Sequence, residues 1–173
     1  KLRDIGKFIT TYCDEYKIAN ISVQAWGGEP LLEKNKIIAL TKFITPQKTK
    51  VHYSIETNAT LLTNDVIEEL YKNHIGIGIS IDGDRKCHDL QRTFVSGKGS
   101  YDTVKKNLLQ AQRYYKNKIG TITTITKQTA VHIEKIIEHL VLDLHISNIK
   151  LNFVHASTYT HGQNQCLNTQ EIA

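Results

Sequence analysis

The sequence predicts an α/β fold, a curved or barrel-like sheet of parallel strands with helices outside, and three observations carry this. Strand-like and helix-like segments alternate along the chain in a single register, which argues for parallel strands joined by right-handed crossovers. The strand-like segments have one apolar and one polar face: Ile77, Ile79 and Ile81 oppose Gly78, Ser80 and Asp82, and Val51, Tyr53 and Ile55 oppose Ser54, Glu56 and Asn58. A strand covered by helices on both sides would be apolar on both, so the polar face argues for a hollow that takes a polar ligand. Finally, Glu29, Glu56, Asn58, Ser80 and Asp82 stand at the carboxyl ends of these segments, where such folds gather their reactive groups.

The elements follow in order. Leu2, Ile5, Ile9, Tyr12 and Tyr16 at helical spacing predict a helix over 1–16, and Ile21, Val23 and Ala25 predict a strand over 20–26. A periodic stretch from Leu31 to Ile44 stops before Pro46. Val51–Thr57 alternates as a strand, and Asn64–Asn73 returns to helix behind Thr63 as N-cap. Gly76–Asp82 is the next strand, and a polar, glycine-containing loop is expected over 83–99. A helix capped by Ser100 runs from Tyr101 to Tyr115; strand Gly120–Thr126, helix Val131–Leu142 and strand Asn148–Val154 complete the series. Residues 156–173, rich in Thr, Asn and Gln, read as a polar linker or tail, so the expected organisation is one domain over 1–155 followed by that tail.

Composition narrows the class. At 173 residues, 40% hydrophobic and 23% charged, the chain suits one globular domain with one core. It has no run of 18 apolar residues and no signal-like start, so no membrane partner is expected and the cytoplasm is the default setting. The net charge of +5 raises nucleic acid as a partner, but the lysines are scattered over several elements without aromatic interleaving, so a solvated basic surface is the preferred reading. Cys13, Cys87 and Cys166 are too far apart for a disulfide framework or a close-set metal site, and His155, His161 and Cys166 lack compact ligand spacing. No metal ligand is assigned. The absence of methionine and the abrupt helical start at Lys1 lead to the expectation that the chain is a piece of a longer protein.

One stretch stands apart, Ala25-Trp26-Gly27-Gly28-Glu29-Pro30, closing a strand and opening a helix. Adjacent glycines free the backbone for unusual dihedrals and expose its carbonyls, and Glu29 adds a carboxylate, together an acceptor set for a primary ammonium group. The same residues also fit a plain strand-to-helix turn with Pro30 near N1.

With Glu56-Thr57-Asn58-Ala59-Thr60-Leu61-Leu62, Ser80-Ile81-Asp82-Gly83, His88-Asp89-Leu90-Gln91-Arg92 and Gly97-Lys98-Gly99-Ser100-Tyr101 in order behind that turn, the chain resembles the radical S-adenosylmethionine enzymes. It is most similar to the subgroup carrying a C-terminal SPASM domain, typified by anaerobic sulfatase-maturating enzymes. The resemblance implies a partial (β/α)6 TIM-like barrel whose first strand precedes this chain. It also implies S-adenosylmethionine and a [4Fe-4S] cluster as cofactors, an external electron donor, and a peptide or protein substrate attacked through a 5'-deoxyadenosyl radical. Formylglycine formation or thioether or related crosslinking would be the outcome. By the same resemblance Gly27, Gly28 and Glu29 match the segment that receives the methionyl ammonium. Ser80 and Arg92 match further cofactor contacts, with Arg92 able to grip the methionyl carboxylate bidentately. Glu56 and Leu151 match positions around the ribose and adenine, and Asn58 belongs to the same set.

Three departures accompany it: Glu56 and Ala59 stand where the family usually has glutamine and glycine, and Asp84 replaces a proline. The cluster-binding Cys-x-x-x-Cys-x-x-Cys loop is expected before Lys1 and the SPASM cysteines beyond Ala173, so the fragment alone is expected to lack radical activity. Its unpaired first edge strand is expected to make it sticky or dimeric. His88 and Asp89 suit either proton transfer over the cavity or local turn and cap bonding, the latter preferred. Asp82 reads equally as turn-former and cavity carboxylate. A non-catalytic barrel scaffold is the alternative function.

Overall fold

A computed structural model describes residues 1–154, 166 and 167. Five parallel strands, β1 (Asn20–Ala25), β2 (Lys50–Thr57), β3 (Ile75–Ser80), β4 (Gly120–Ile125) and β5 (Asn148–Phe153), lie side by side in sequence order. The sheet curls into a partial TIM-like barrel with its helices outside. One contact shows how strongly it curls. Lys150 Nζ on β5 lies 3.6 Å from Glu56 Oε1 on β2, although two strands intervene and a flat sheet would hold β2 and β5 about 14 Å apart.

The convex face carries the core. Ile55, Thr57, Ile75, Ile77, Ile79, Thr121, Thr123 and Ile125 are buried there, beneath Ile67, Leu70, Val104, Leu108, Ile136 and Leu140 from the helices. The opposite face presents Gln24, Ser54, Glu56, Gly78, Ser80, Lys150 and Asn152 to the hollow, as the alternation predicts. Thr121 Oγ1, on the core face, is the buried side-chain polar atom without a hydrogen bond among the described residues. Thr121→Val keeps its shape and removes a desolvated hydroxyl, so chemical denaturation should show a gain of about 1 kcal/mol.

The helices are α1 (Leu2–Glu15), α2 (Lys34–Thr41, entered by a 3-10 turn over Pro30–Glu33), α3 (Asn64–Lys72), α4 (Arg85–Gln91), α5 (Tyr101–Tyr115), α6 (Lys127–Ala130) and α7 (Ile133–Glu138). Four expectations are corrected. The 83–99 loop contains α4, started by Asp84, whose carboxylate accepts from Cys87 N at 2.9 Å. Ser100 does not cap α5 with its side chain; Asp89 Oδ1, arriving from α4, accepts from Tyr101 N at 2.9 Å. Thr63 occupies the N-cap position of α3 but makes no side-chain cap bond. The expected helix over 131–142 is broken: α6, started by Thr126 and Thr129 as a capping box, precedes α7, which runs into a π-helical turn over His139–Asp143.

His155, His161 and most of the polar tail lie outside the described residues. Cys166 and Leu167 are buried, and Leu167 N donates to Val154 O at 3.0 Å. Among the described residues no helix is long and apolar enough to cross a membrane.

Candidate functional site

The turn after β1 is built for exposed backbone. Gly27 and Gly28 take φ of +98° and +56°, conformations that side chains disfavour, and nothing lies within 4 Å of where a Cβ would stand. Both residues are exposed. Glu29 is anchored more firmly than the sequence suggested. Its Oε1 accepts from Thr57 Oγ1 at 2.6 Å and from Leu31 N at 3.0 Å, and its Oε2 from Asn58 N at 2.8 Å. The carboxylate therefore caps the 3-10 turn and ties the end of β1 to the end of β2. The structural reading of this turn is met by these bonds.

Asn58 follows directly. Its Oδ1 accepts from Thr60 N at 2.9 Å and from Thr60 Oγ1 at 2.7 Å, so the side chain is spent on the turn while its amide N–H holds Glu29. Ala59 stands at φ +59° and is wholly buried. The family's glycine is explained by that dihedral. Ala59→Gly should stay within about 1 kcal/mol of the parent, because relief of the left-handed conformation offsets the lost methyl. Ala59→Val, which adds β-branching at the same dihedral without free space, should cost roughly 3 kcal/mol in urea unfolding.

Glu56 and Ser80 lie on the wall of the hollow on neighbouring strands, Glu56 opposite Gly78 in register. Glu56 accepts from Gln24 Nε2 at 2.9 Å. A cavity of about 260 Å³ opens beneath, lined by Gln24, Glu56, Gly78, Gly120, Asn148 and Lys150 among others. It reaches Glu56 but not Glu29, Ser80 or Arg92, which stand nearer the strand ends.

Arg92 ends α4 and points back over the carboxyl ends of β3 and β4. Its Nε donates to Asp82 Oδ2 at 2.5 Å; its Nη2 lies 3.3 Å from Asp82 Oδ1 and 3.2 Å from Thr124 Oγ1. One edge of the guanidinium fork is thus filled from within the protein. The bidentate grip expected on a ligand carboxylate cannot use that edge, and Asp82 is the anchor of Arg92 rather than a free cavity acid.

His88 is buried and joins Asp82 N, which donates to Nδ1 at 3.2 Å, to Ser100 Oγ, 3.0 Å from Nε2; Ser100 Oγ in turn donates to Arg92 O at 2.9 Å. Burial first, then Arg92, lower its pKa to about 4 against the opposing pull of Asp82 and Asp89. A neutral imidazole in a chain of structural bonds is the result, as preferred from sequence. Asp89 caps α5 and fills the space that a Cβ at Gly99 would need.

Leu151 turns its side chain away from the hollow. It shares a face with Ile149 and Phe153 and packs against the core, while Lys150 and Asn152 face the hollow. The structure thus brings together Gly27, Gly28, Glu29 and Asn58 in one turn cluster and places Glu56 and Ser80 on the adjoining wall, with Arg92 beyond them. Its side-chain face leaves Leu151 out. Sequence reasoning missed Thr57, Gln24, Lys150 and Thr124 as partners of these residues; for Lys150 the alternation of β5 was the available signal.

The residues present fit the amino-acid and hydroxyl-bearing parts of S-adenosylmethionine: an exposed turn bare of Cβ atoms beside a carboxylate, then polar wall positions. They do not fit an iron–sulfur cluster. Cys13 is buried on α1, Cys87 on α4, and Cys166 near the end of β5, and no group of three His, Cys, Asp or Glu able to hold a metal forms among the described residues.

Comparison with known proteins bears on this geometry. A family profile described as the Radical SAM superfamily matches residues 3–140. The cysteine-type anaerobic sulfatase-maturating enzyme of Clostridium novyi (strain NT) is 33% identical over 114 residues, 64% of this chain and 30% of its own length. The serine-type anaerobic sulfatase-maturating enzyme of Bacteroides thetaiotaomicron is 31% identical over 108 residues, 60% of this chain and 26% of its own. A solved structure described as native anSMEcpe with bound AdoMet and Cp18Cys peptide superposes with a TM-score of 0.84 at 21% identity, covering 98% of this chain and 47% of that one. The chain spans less than half the length of each of these relatives.

Proposed function

Because the chain belongs to the radical SAM superfamily, we propose that it is the cofactor-cradling core of an enzyme that modifies a side chain of a peptide or protein. The observation that carries this is the exposed Gly27–Gly28 turn, held beside a Glu29 carboxylate that is locked to the end of β2. When bound, S-adenosylmethionine supplies hydrogen-abstracting radical chemistry. This chain's own contribution is to receive and orient it: Gly27, Gly28 and Glu29 take the ammonium, Glu56 and Ser80 the nucleoside side, and Arg92 lends its remaining charge near the methionyl carboxylate. The cluster ligands, an external electron donor and a SPASM domain belong to the same proposal and involve residues other than those described.

Relatives named for cysteine-type and for serine-type sulfatase maturation support a peptide substrate and do not choose between the two residues. The test uses the full-length protein with its cluster reconstituted anaerobically, given reductant, S-adenosylmethionine and peptides carrying either Cys or Ser at the target position. Formation of 5'-deoxyadenosine together with a mass change in one peptide is expected. A cluster-loaded sample that forms neither would reduce the chain to a scaffold barrel.

A further inference from the structure

Glu56 has lopsided contacts. Its side chain is 15% exposed, and Oε1 receives both Gln24 Nε2 at 2.9 Å and the Lys150 ammonium at 3.6 Å. No hydrogen bond reaches Oε2 among the described residues, yet Oε2 is not among their buried unpartnered atoms, so it opens on the hollow. Its register neighbours on β3 and β4 are Gly78 and Gly120, and Ile122 Cδ1 covers Gly78, lying 2.9 Å from where a Cβ there would stand. A cation beside a carboxylate strengthens and directs its contacts. The Lys150 side chain, itself 61% exposed, provides that charge while keeping much of its own hydration.

We propose that Lys150 is a positioning residue for Glu56: reaching across the hollow from β5, it holds Oε1 and leaves Oε2 as an acceptor for the hydroxyls of a nucleoside. This rests on the reading that the hollow takes S-adenosylmethionine. A carboxylate oxygen accepts from a ribose hydroxyl with charge assistance. A neutral amide at position 56 would need no cation. The effect of Lys150 should therefore exist only while residue 56 is a carboxylate.

The test titrates S-adenosylmethionine into the full-length, cluster-reconstituted protein and into Lys150→Met, Lys150→Arg, Glu56→Gln and the Glu56→Gln/Lys150→Met double variant. Lys150→Met should raise Kd about five- to tenfold, and Lys150→Arg should stay within about twofold of the parent. In the Glu56→Gln background, Lys150→Met should change Kd by less than about twofold. An equal loss in both backgrounds, or no loss in the parent, overturns the role of Lys150. A parent protein that fails to bind the cofactor overturns the reading of the hollow itself, and the two failures are told apart by that single titration.

Discussion

Asp82→Ala should lower the unfolding free energy by roughly 3–5 kcal/mol, the largest single effect expected in the described residues. Asp82 is 1% exposed, and its two oxygens accept from Gln91 Nε2 at 2.8 Å, Arg92 Nε and Nη2, and Thr124 N at 2.7 Å. Truncation orphans the Thr124 amide and leaves a partly buried guanidinium without its counter-charge. Asp82→Asn should be only slightly milder, because one end of the amide turns a donor towards Arg92 or towards the Thr124 amide. Arg92 is also freed to swing, so S-adenosylmethionine affinity in the full-length protein should fall along with stability. Urea unfolding of both variants checks the first effect. A double-mutant cycle with Arg92→Met isolates the pair, since coupling should account for most of the loss.

The second large effect is a loss of stability in acid traced to His88. Its folded pKa is lowered to about 4 by burial, against about 6.5 in the unfolded chain. Between those values the unfolded state binds the proton and the folded state does not. The stabilisation is therefore complete above about pH 6.5 and is lost as pH falls towards 4, amounting to about 3 kcal/mol. Replacing His88 by Gln should lower stability at pH 7, because the bond to Ser100 is remade poorly, but should flatten this part of the pH profile. Denaturant midpoints at pH 7 and pH 4.5 for both proteins measure it. A parent whose stability is flat over that range would contradict the neutral, buried imidazole.

The fold was legible because most strands repeat one rule, apolar towards the helices and polar towards the hollow; β4 departs from it, with Thr121 and Thr123 on the core face and Ile122 on the hollow face. The strands that keep it suffice to define the curl. Boundaries that depend on capping were less legible. α4 hides in a polar loop because one Asp84 side chain starts it, and α5 is capped by Asp89, eleven residues upstream of Ser100, which no local pattern shows. In the site, the Gly27–Glu29 turn was legible from glycine and carboxylate alone. The company Glu29 keeps, Thr57 and Asn58 on the next strand, depends on parallel pairing. For Leu151 the resemblance implied a contact near the nucleoside, and the alternation of Ile149, Leu151 and Phe153 puts its side chain with the core, which leaves only its backbone for such a contact. Arg92 differs again, since its position was readable but its prior engagement with Asp82 was not.

The most direct measurement is the structure of the full-length protein, cluster-loaded and crystallised without oxygen in the presence of S-adenosylmethionine. The methionyl ammonium is expected within hydrogen-bonding distance of the Gly27–Glu29 backbone, and the ribose against Glu56 Oε2. A cofactor seated elsewhere, with that turn facing only solvent, would contradict it.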